Sequence, residues 1–233
     1  MNILITGAGR GIGYDTARQL AATGNHRLLV LSRNEQALSR LKTEVQEVAG
    51  PDSLNYLTAD LNALSVLTLE AALRRLGGLD VLINNAGILI NKPFEDLSLT
   101  DWKQSFDTNF FAVVQLIRIC LPFFPASGGH IVNIGSMGGV QGSAKFPGLA
   151  AYSAAKAALA NLTECLAEEL KDRHIAVNCL SLGAVQTEML SEAFPGYQAP
   201  VSSDRMADFM AWFALNGQHF FNGKILPVAV STP

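Results

Sequence analysis

The chain has 233 residues, of which 49% are hydrophobic and 16% charged, and its formal net charge is −3. This length fits one α/β domain, and the composition favours a sheet that helices bury on both faces. No long Lys/Arg block is present, which argues against a nucleic-acid or anionic-membrane partner and favours a small molecule. Three widely spaced cysteines, an odd number, argue against a disulfide framework and against a zinc site, so no metal is expected.

The chain also lacks the sequence signals of secretion and of membrane insertion. Residues 1–6 contain neither a basic segment nor a cleavage signal, and the longest apolar stretch, 116–124, is interrupted by Arg118 and Pro122. The sequence therefore predicts a cytoplasmic protein with no membrane span.

Short apolar runs alternate with segments of helical spacing along the chain. The predicted strands cover 2–6, 27–31, 54–58, 79–83, 130–135, 176–181 and 224–230. The predicted helices cover about 11–23, 34–49, 62–76, 99–125, 150–172 and 203–215. This alternation predicts right-handed crossovers and a parallel sheet in a single domain over 1–233. The irregular segments 84–98, 137–149 and 186–202 follow strands, so we expect them at the carboxyl edge, where such folds bind ligands.

The first strand is followed by a glycine-rich turn, TGAGRGIG, at residues 6–13. Gly7, Gly11 and Gly13 fit the spacing GxxxGxG. Glycines allow a tight turn and a close approach of the backbone to a pyrophosphate, while the following helix offers free N–H groups to an anion. The pattern predicts a dinucleotide phosphate site, although such a turn can also serve only to close a tight strand–helix connection.

The end of the second strand carries Ser32 and Arg33. Sites that prefer NAD commonly place a carboxylate here for the ribose 2′-hydroxyl, whereas a 2′-phosphate is attracted by arginine. Arg10, within the glycine turn, is expected to reach the same phosphate. These residues favour NADP(H) over NAD(H); the alternative is that Arg33 is an ordinary solvated side chain.

Tyr152 and Lys156 lie four residues apart in an alanine-rich segment of high helix propensity, so their side chains share one face. A neighbouring ammonium stabilises a phenolate and lowers the tyrosine pKa from its ordinary value near 10. The pair thus predicts a proton donor and acceptor that works near neutral pH. An amphipathic helix can also carry both residues on its surface.

Two further polar residues are candidates for the same site. Ser136 ends a buried-type strand and is positioned to donate a hydrogen bond to a substrate carbonyl, although a serine there can equally cap a turn. Asn109 lies inside a predicted helix, where an amide is a poor helix former. A functional role explains its presence, and a surface position is the alternative.

Together these residues resemble the short-chain dehydrogenase/reductase superfamily, over residues 2 to about 230. The resemblance implies a Rossmann fold with a doubly wound seven-stranded parallel sheet in the order 3-2-1-4-5-6-7. It implies a catalytic tetrad of Asn109, Ser136, Tyr152 and Lys156, in which Tyr152 exchanges the proton and Asn109 anchors a relay water. It also implies a cofactor-binding set that comprises Gly7, Arg10, Gly11, Ile12, Gly13, Ser32, Arg33, Asp60, Leu61, Asn85, Ala86, Gly87, Tyr152, Lys156, Gly183, Val185 and Thr187.

The sequence departs from the family pattern after the sixth strand and at its end. Leu182 stands where the family usually has proline, so we expect a looser turn there, and residues 227–233 lack the common double-glycine tail. These departures favour a compact carbonyl-reductase or C-factor-like branch acting on a small-molecule carbonyl or alcohol. A 3-oxoacyl thioester reductase and a non-catalytic NADP-binding regulatory protein are the alternatives. The resemblance further implies a homodimer or homotetramer built on helices 99–125 and 150–172.

Overall fold

The computed structural model describes residues 1–24 and 26–230. The strands in this part of the chain are β1 Asn2–Thr6, β2 Arg27–Ser32, β3 Leu54–Thr58, β4 Val81–Asn84, β5 Gly129–Ser136, β6 Ile175–Leu182, β7 Val185–Gln186, β8 Val201–Ser202 and β9 Ile225–Val228. Seven of them form one parallel sheet in the order β3-β2-β1-β4-β5-β6-β9. The predicted order is confirmed, with β9 as its seventh strand.

Helices cover both faces of this sheet. They are α1 Gly11–Ala22, α2 Glu35–Ala49, α3 Val66–Leu76, α4 Leu99–Phe106, α5 Ala112–Cys120, α6 Ala150–Glu169, α7 Glu188–Ala193 and α8 Ser203–Asn216. Helices α1, α2 and α8 pack on one face, and α3, α5 and α6 pack on the other. Apolar side chains leave the strands on both faces, which is why helices cover both. In β1, for example, Ile3 and Ile5 pack in the core with α1, α2 and α8, while Leu4 packs in the core with α3, α5 and α6.

The predicted helix over 99–125 is interrupted in the structure. A π-helical turn, Asp107–Phe111, separates α4 from α5. By length and composition alone, Leu99–Phe123 also passes as a membrane-crossing helix. In the fold, however, Val113, Leu116 and Ile117 are buried against the sheet and α3. The apolar character of this segment is that of a core helix.

The segment after β6 is more ordered than the sequence predicts. Leu182 is only 7% exposed and pairs with Val228 of β9, so β6 continues through the position where the family usually has proline. The looser turn expected beyond it stays a prediction. Beyond Leu182, β7 pairs with β8 as a separate two-stranded parallel sheet, and α7 lies between these strands in the chain. The sequence predicts only an irregular segment over 186–202. Residues 231–233 of the unusual C-terminal sequence lie outside the described residues.

Candidate active site

The glycine turn between β1 and α1 is tightly packed against the segment that follows β4. Gly7 and Gly11 have positive φ angles of 71° and 57°, which favour glycine. A Cβ at Gly7 would lie 2.8 Å from the Cα of Ala86, and one at Gly13 would lie 2.6 Å from the Gly7 carbonyl oxygen. The GxxxGxG spacing therefore reflects both backbone conformation and close backbone packing.

Thr6 is a residue of this turn that the sequence analysis did not single out. Thr6 is buried, with 1% of its surface exposed. Its hydroxyl accepts hydrogen bonds from the backbone N–H groups of Asn85 and Ala86, both at 3.1 Å. The Asn85 amide returns a bond to the Thr6 carbonyl at 3.0 Å. These bonds hold the Asn85–Gly87 segment beside the glycine turn. In the sequence, the position of Thr6 directly before Gly7 is the one feature that points to this role, because its partners Asn85 and Ala86 are distant in the chain.

The glycine turn lies against the end of β2 and the segments after β4 and β6, and we call the region between them the crevice. The N-terminus of α1 faces this crevice. Its N-cap residue, Arg10, makes no side-chain hydrogen bond to the first turn of the helix. Uncapped N–H groups at a helix start carry partial positive charge and bind anions. Ile12 is partly buried against the core and anchors this end of the helix.

Ser32, Arg33 and Asp60 lie at the other end of the crevice. Gly9 approaches Ser32 so closely that a Cβ at Gly9 would collide with the serine hydroxyl. Arg33 is exposed and, among the described residues, forms no ion pair. Asp60 is also exposed, and its carboxylate accepts the Asn62 N–H at 2.9 Å and so caps the short turn that starts at Leu61.

Arg10 pairs with an acidic side chain of α7. Its guanidinium forms a forked ion pair with the Glu192 carboxylate, with one N···O distance of 3.2 Å, and so joins the glycine turn to the segment after β6. That Arg10 and Arg33 contact one phosphate stays a prediction. Sequence spacing gave no signal for a pair 182 residues apart.

Thr187, Gly183 and Val185 border the crevice from the end of β6. The Thr187 hydroxyl accepts the Leu190 N–H at 3.2 Å and caps α7, and its methyl group lies 3.3 Å from the position of a Cβ on Gly11. Gly183 donates its N–H to Val228 at 2.9 Å, and Val185 is buried. Thr187 therefore lies directly against the glycine turn, and its contact with the cofactor stays a prediction.

Tyr152 and Lys156 lie in the first and second turns of α6, on one face of the helix. The Lys156 Nζ is 5.9 Å from the centroid of the Tyr152 ring and donates a 2.7 Å hydrogen bond to the carbonyl of Ile134 in β5. Lys156 is only 4% exposed, and this burial lowers its pKa to about 8. The pair is internal, so the alternative of two surface residues is wrong.

Tyr152 and Ser136 come together where β5 meets α6. Burial raises the pKa of Tyr152 above its ordinary value, and a hydrogen bond with Ser136 opposes the rise. The predicted lowering of this pKa is therefore wrong for the contacts that the protein itself provides. Ser136 also plays the capping role considered for it, because its hydroxyl accepts the Gly138 N–H at 3.2 Å.

Asn109 occupies the middle of the π-helical turn and is fully buried, so a surface position is excluded. Its amide nitrogen donates to the carbonyls of Ile88 at 3.0 Å and Ser105 at 2.9 Å, and its oxygen accepts the Ile88 N–H at 3.1 Å. Both donors are thus engaged by the protein. The side chain fixes the segment after β4 to the helix.

Gly87 brings these two parts of the site together. A Cβ at Gly87 would lie 2.8 Å from the Asn109 oxygen and 3.6 Å from the Lys156 Nζ. Asn109, Lys156 and the backbone after β4 therefore meet at one point. All four predicted catalytic residues border the carboxyl edge of β4 and β5.

A family model for short chain dehydrogenases matches residues 1–198. The chain belongs to this family. Trans-4-hydroxycyclohexanecarboxylate dehydrogenase from Sinomonas cyclohexanicum is 31% identical over 97% of this chain and 90% of its own length. Carbonyl reductase [NADPH] 2 from Sus scrofa is 35% identical over 81% of this chain and 73% of its own. As a member of this family, the chain is an oxidoreductase.

The fold of this short chain dehydrogenase is also that of solved relatives. The 3-ketoacyl-(acyl-carrier-protein) reductase from Brucella melitensis, complexed with NADH, superposes with a TM-score of 0.86 at 26% identity, over 97% of this chain and 96% of that one. The Sus scrofa enzyme is named for NADPH and the Brucella melitensis enzyme is complexed with NADH, so relatives of this chain use nicotinamide cofactors. The crevice fits the pyrophosphate of such a cofactor, because the N–H groups at the start of α1 are uncapped and directly follow the glycine turn.

Proposed function

We propose that this oxidoreductase reduces a ketone or aldehyde to an alcohol, or catalyses the reverse, with NADP(H). The observation that carries the proposal is the meeting of Tyr152, Ser136 and Lys156 where β5 meets α6 at the carboxyl edge of the sheet. A partly buried phenol with a raised pKa holds its proton at neutral pH, and this protonated form is the one that a carbonyl reduction consumes.

In the proposed mechanism, Ser136 and Tyr152 both donate hydrogen bonds to the substrate carbonyl oxygen and so orient it. A nicotinamide cofactor held in the crevice would supply the hydride that the carbonyl carbon accepts. Tyr152 transfers its phenolic proton to the oxygen, where negative charge develops, and is left as a phenolate. The Lys156 ammonium, held by the Ile134 carbonyl, stabilises this phenolate, and Asn109 keeps the segment at Ile88 in register with the site.

The choice of NADP(H) rests on the end of β2. Ser32 stands where a carboxylate would otherwise bind the ribose 2′-hydroxyl, and Arg33 is an exposed cation with no acidic partner among the described residues. A 2′-phosphate would give this arginine a negatively charged partner. Asp60 and Leu61 would border the adenine, and the turn from Gly7 to Gly13 would hold the pyrophosphate.

The related proteins support a carbonyl as the substrate class. Their names include a carbonyl reductase and a dehydrogenase of a hydroxylated cyclohexane ring. A 3-oxoacyl thioester is the second candidate, since the Brucella melitensis reductase has the same fold at 26% identity. We place this chain with the carbonyl reductases, and we propose that it acts in the cytoplasm as a single domain over 1–233, assembled as a homodimer or homotetramer.

A panel of ketones, aldehydes and a 3-oxoacyl thioester, with NADPH consumption as the readout, tests this function. We expect turnover of at least one small ketone or aldehyde, and Tyr152→Phe should lower kcat by about 1,000-fold or more because it removes the transferred proton. Binding of NADPH to this variant, followed by nucleotide fluorescence, should change little.

Three outcomes would contradict the proposal. Turnover of the thioester alone would place the chain with the second candidate. Binding of NADPH without turnover of any panel member would favour a regulatory protein. Full activity of Tyr152→Phe would show that the proton comes from another group.

A further inference from the structure

A cavity of about 490 Å³ lies between the segment after β4 and the segment before α6. Its walls are mainly apolar: Phe94 and Phe146 are 72% and 43% exposed, and Pro93, Pro147 and Leu149 complete them. The Phe94 ring is held edge-to-face against Trp102, with centroids 6.4 Å apart. Exposed aromatic side chains around a cavity of this size are typical of a site for an apolar small molecule.

The cavity borders the proposed catalytic site. Ser153, one residue beyond Tyr152 in α6, lines it. A Cβ on Gly138 would lie 2.8 Å from the Ser153 hydroxyl and 3.6 Å from the Ser136 hydroxyl, so Ser136 and Ser153 flank the same glycine. A molecule that fills this cavity therefore lies next to the residues that hold the carbonyl.

Lys145 is the ionisable residue among the lining residues in the described part of the chain. Its ammonium donates to the carbonyls of Gly138 and Val140, at 2.9 and 2.5 Å, and to the Ser143 hydroxyl at 2.9 Å. These acceptors are neutral, and no carboxylate within the described residues forms an ion pair with Lys145. The cavity thus carries one uncompensated positive charge.

Lys92 provides a contrast in the same region. It lies beside Pro93, but its ammonium is paired with Asp101 at 2.7 Å. This contact and hydrogen bonds from Ser98 lower the pKa of Asp101 to about 2, so the carboxylate stays ionised and neutralises Lys92. Glu95 and Asp96 follow Phe94 in the chain but do not line the cavity. The local charge that is free to attract an anion is therefore that of Lys145.

We propose that Lys145 recognises a carboxylate on the substrate, so that the preferred substrates are carbonyl compounds with an apolar body and an anionic group. This inference rests on the proposed function. The apolar body occupies the aromatic walls, and the carboxylate displaces one neutral acceptor of the ammonium to form a charge-assisted hydrogen bond. Such a bond is stronger than the one it replaces, which gives the anionic substrate its advantage over an uncharged analogue.

The test compares 4-acetylbenzoate with its methyl ester, which present the same aromatic ketone with and without a negative charge. We expect kcat/KM for the carboxylate to exceed that for the ester by about tenfold in the wild type. Lys145→Met should bring this ratio close to 1. Lys145→Arg should preserve most of the preference, and added salt should reduce it in the wild type.

Lys92→Met is the matched control, because it removes the same charge from the same region, and we expect it to change the ratio little since neither Lys92 nor Asp101 lines the cavity. If Lys145 only braces the loop after β5, Lys145→Met lowers both rates in parallel and the ratio persists, which overturns the proposal. A wild type that prefers the ester, shows no preference, or reduces other ketones but neither probe also overturns it. Failure to consume NADPH with any carbonyl compound would instead refute the proposed function itself.

Discussion

The two halves of the crevice are built in different ways. On the catalytic side, Asn109 and Lys156 are 0% and 4% exposed, and backbone groups of the segment after β4 and of β5 bind their polar atoms. On the side that selects the nucleotide, Arg33 is an exposed loop residue, and the Arg10 side chain is 51% exposed and paired with Glu192. The packing of the fold fixes the side chains of the catalytic half. The arginine side chains of the nucleotide half are instead positioned by the charged groups that pair with them.

Because of this difference, the catalytic half indicates the reaction more clearly than the nucleotide half indicates the cofactor. Buried polar groups must find partners within the protein, so their geometry is fixed and indicates a type of chemistry. Exposed ion pairs are weak and exchange partners readily. The reaction class therefore follows from the structure more directly than the identity of the cofactor does, and perturbing the two halves should produce effects of very different size.

After the loss expected for Tyr152→Phe, the largest effect is expected from Gly87→Ala. The new Cβ would lie 2.8 Å from the Asn109 oxygen, so the Asn109 side chain has to move, and it would contact the Lys156 ammonium at 3.6 Å. We expect kcat to fall by about 100-fold, because misplacement of catalytic groups by about 1 Å has this cost. Steady-state kinetics measure it, and a thermal melt of the variant checks that the chain still folds.

Gly50→Ala is the control for this variant, since no atom lies within 4 Å of the position of its Cβ. It should leave kcat unchanged although its positive φ of 91° costs some stability. Equal loss of kcat in both variants would show that the catalytic half is no more constrained than the rest of the fold.

An intermediate effect is expected from pH. The Lys156 pKa is lowered to about 8 by burial, so the ammonium is charged below this value and loses its proton as the pH rises through it. The raised pKa of Tyr152 keeps the phenol protonated over the same interval. We therefore expect kcat/KM for reduction to be level below about pH 8 and to fall about tenfold per pH unit above it.

A pH series with a carbonyl substrate that does not titrate measures this profile. Lys156→Arg keeps a charged group at all these pH values, so its profile should lack the fall even though its rate is lower. A wild-type rate that stays level to about pH 10 would contradict a role for the Lys156 charge.

The smallest effect is expected on the nucleotide side. Arg33→Ala should weaken NADPH binding by about three- to tenfold and leave NADH binding nearly unchanged, because an exposed arginine contributes little beyond its contact with the 2′-phosphate. Fluorescence titration of both nucleotides measures it, with Arg75→Ala, an exposed arginine at the end of α3, as the control. Tighter binding of NADH than of NADPH by the wild type would refute the proposed cofactor preference.

Much of the fold was accessible from the sequence because its patterns are local. The alternation of apolar runs and helical spacing predicted the seven strands of the sheet and the helices that cover it. The four-residue spacing of Tyr152 and Lys156 placed both on one face of α6, as observed. The glycine spacing after β1 likewise predicted a turn whose tightness the structure explains.

The features that were not predicted depend on contacts between distant residues. The partner of Asn109 is Ile88, 21 residues away, and that of Arg10 is Glu192, 182 residues away. The direction of the Tyr152 pKa also required the burial of the ring, which no local pattern encodes. The pairing of Leu182 with Val228 of β9 is another contact between residues that are distant in the sequence.

The short ladder between β7 and β8 has a consequence for how this protein can diversify. Because Val185–Gln186 pairs with Val201–Ser202, the two ends of the intervening segment are held side by side, independently of what the segment contains. The part of this segment beyond Glu192 can therefore lengthen, shorten or change its sequence while Thr187 stays against the glycine turn and β5 and α6 keep their places. Over evolutionary time this loop can diversify while the proton-transfer residues are inherited intact.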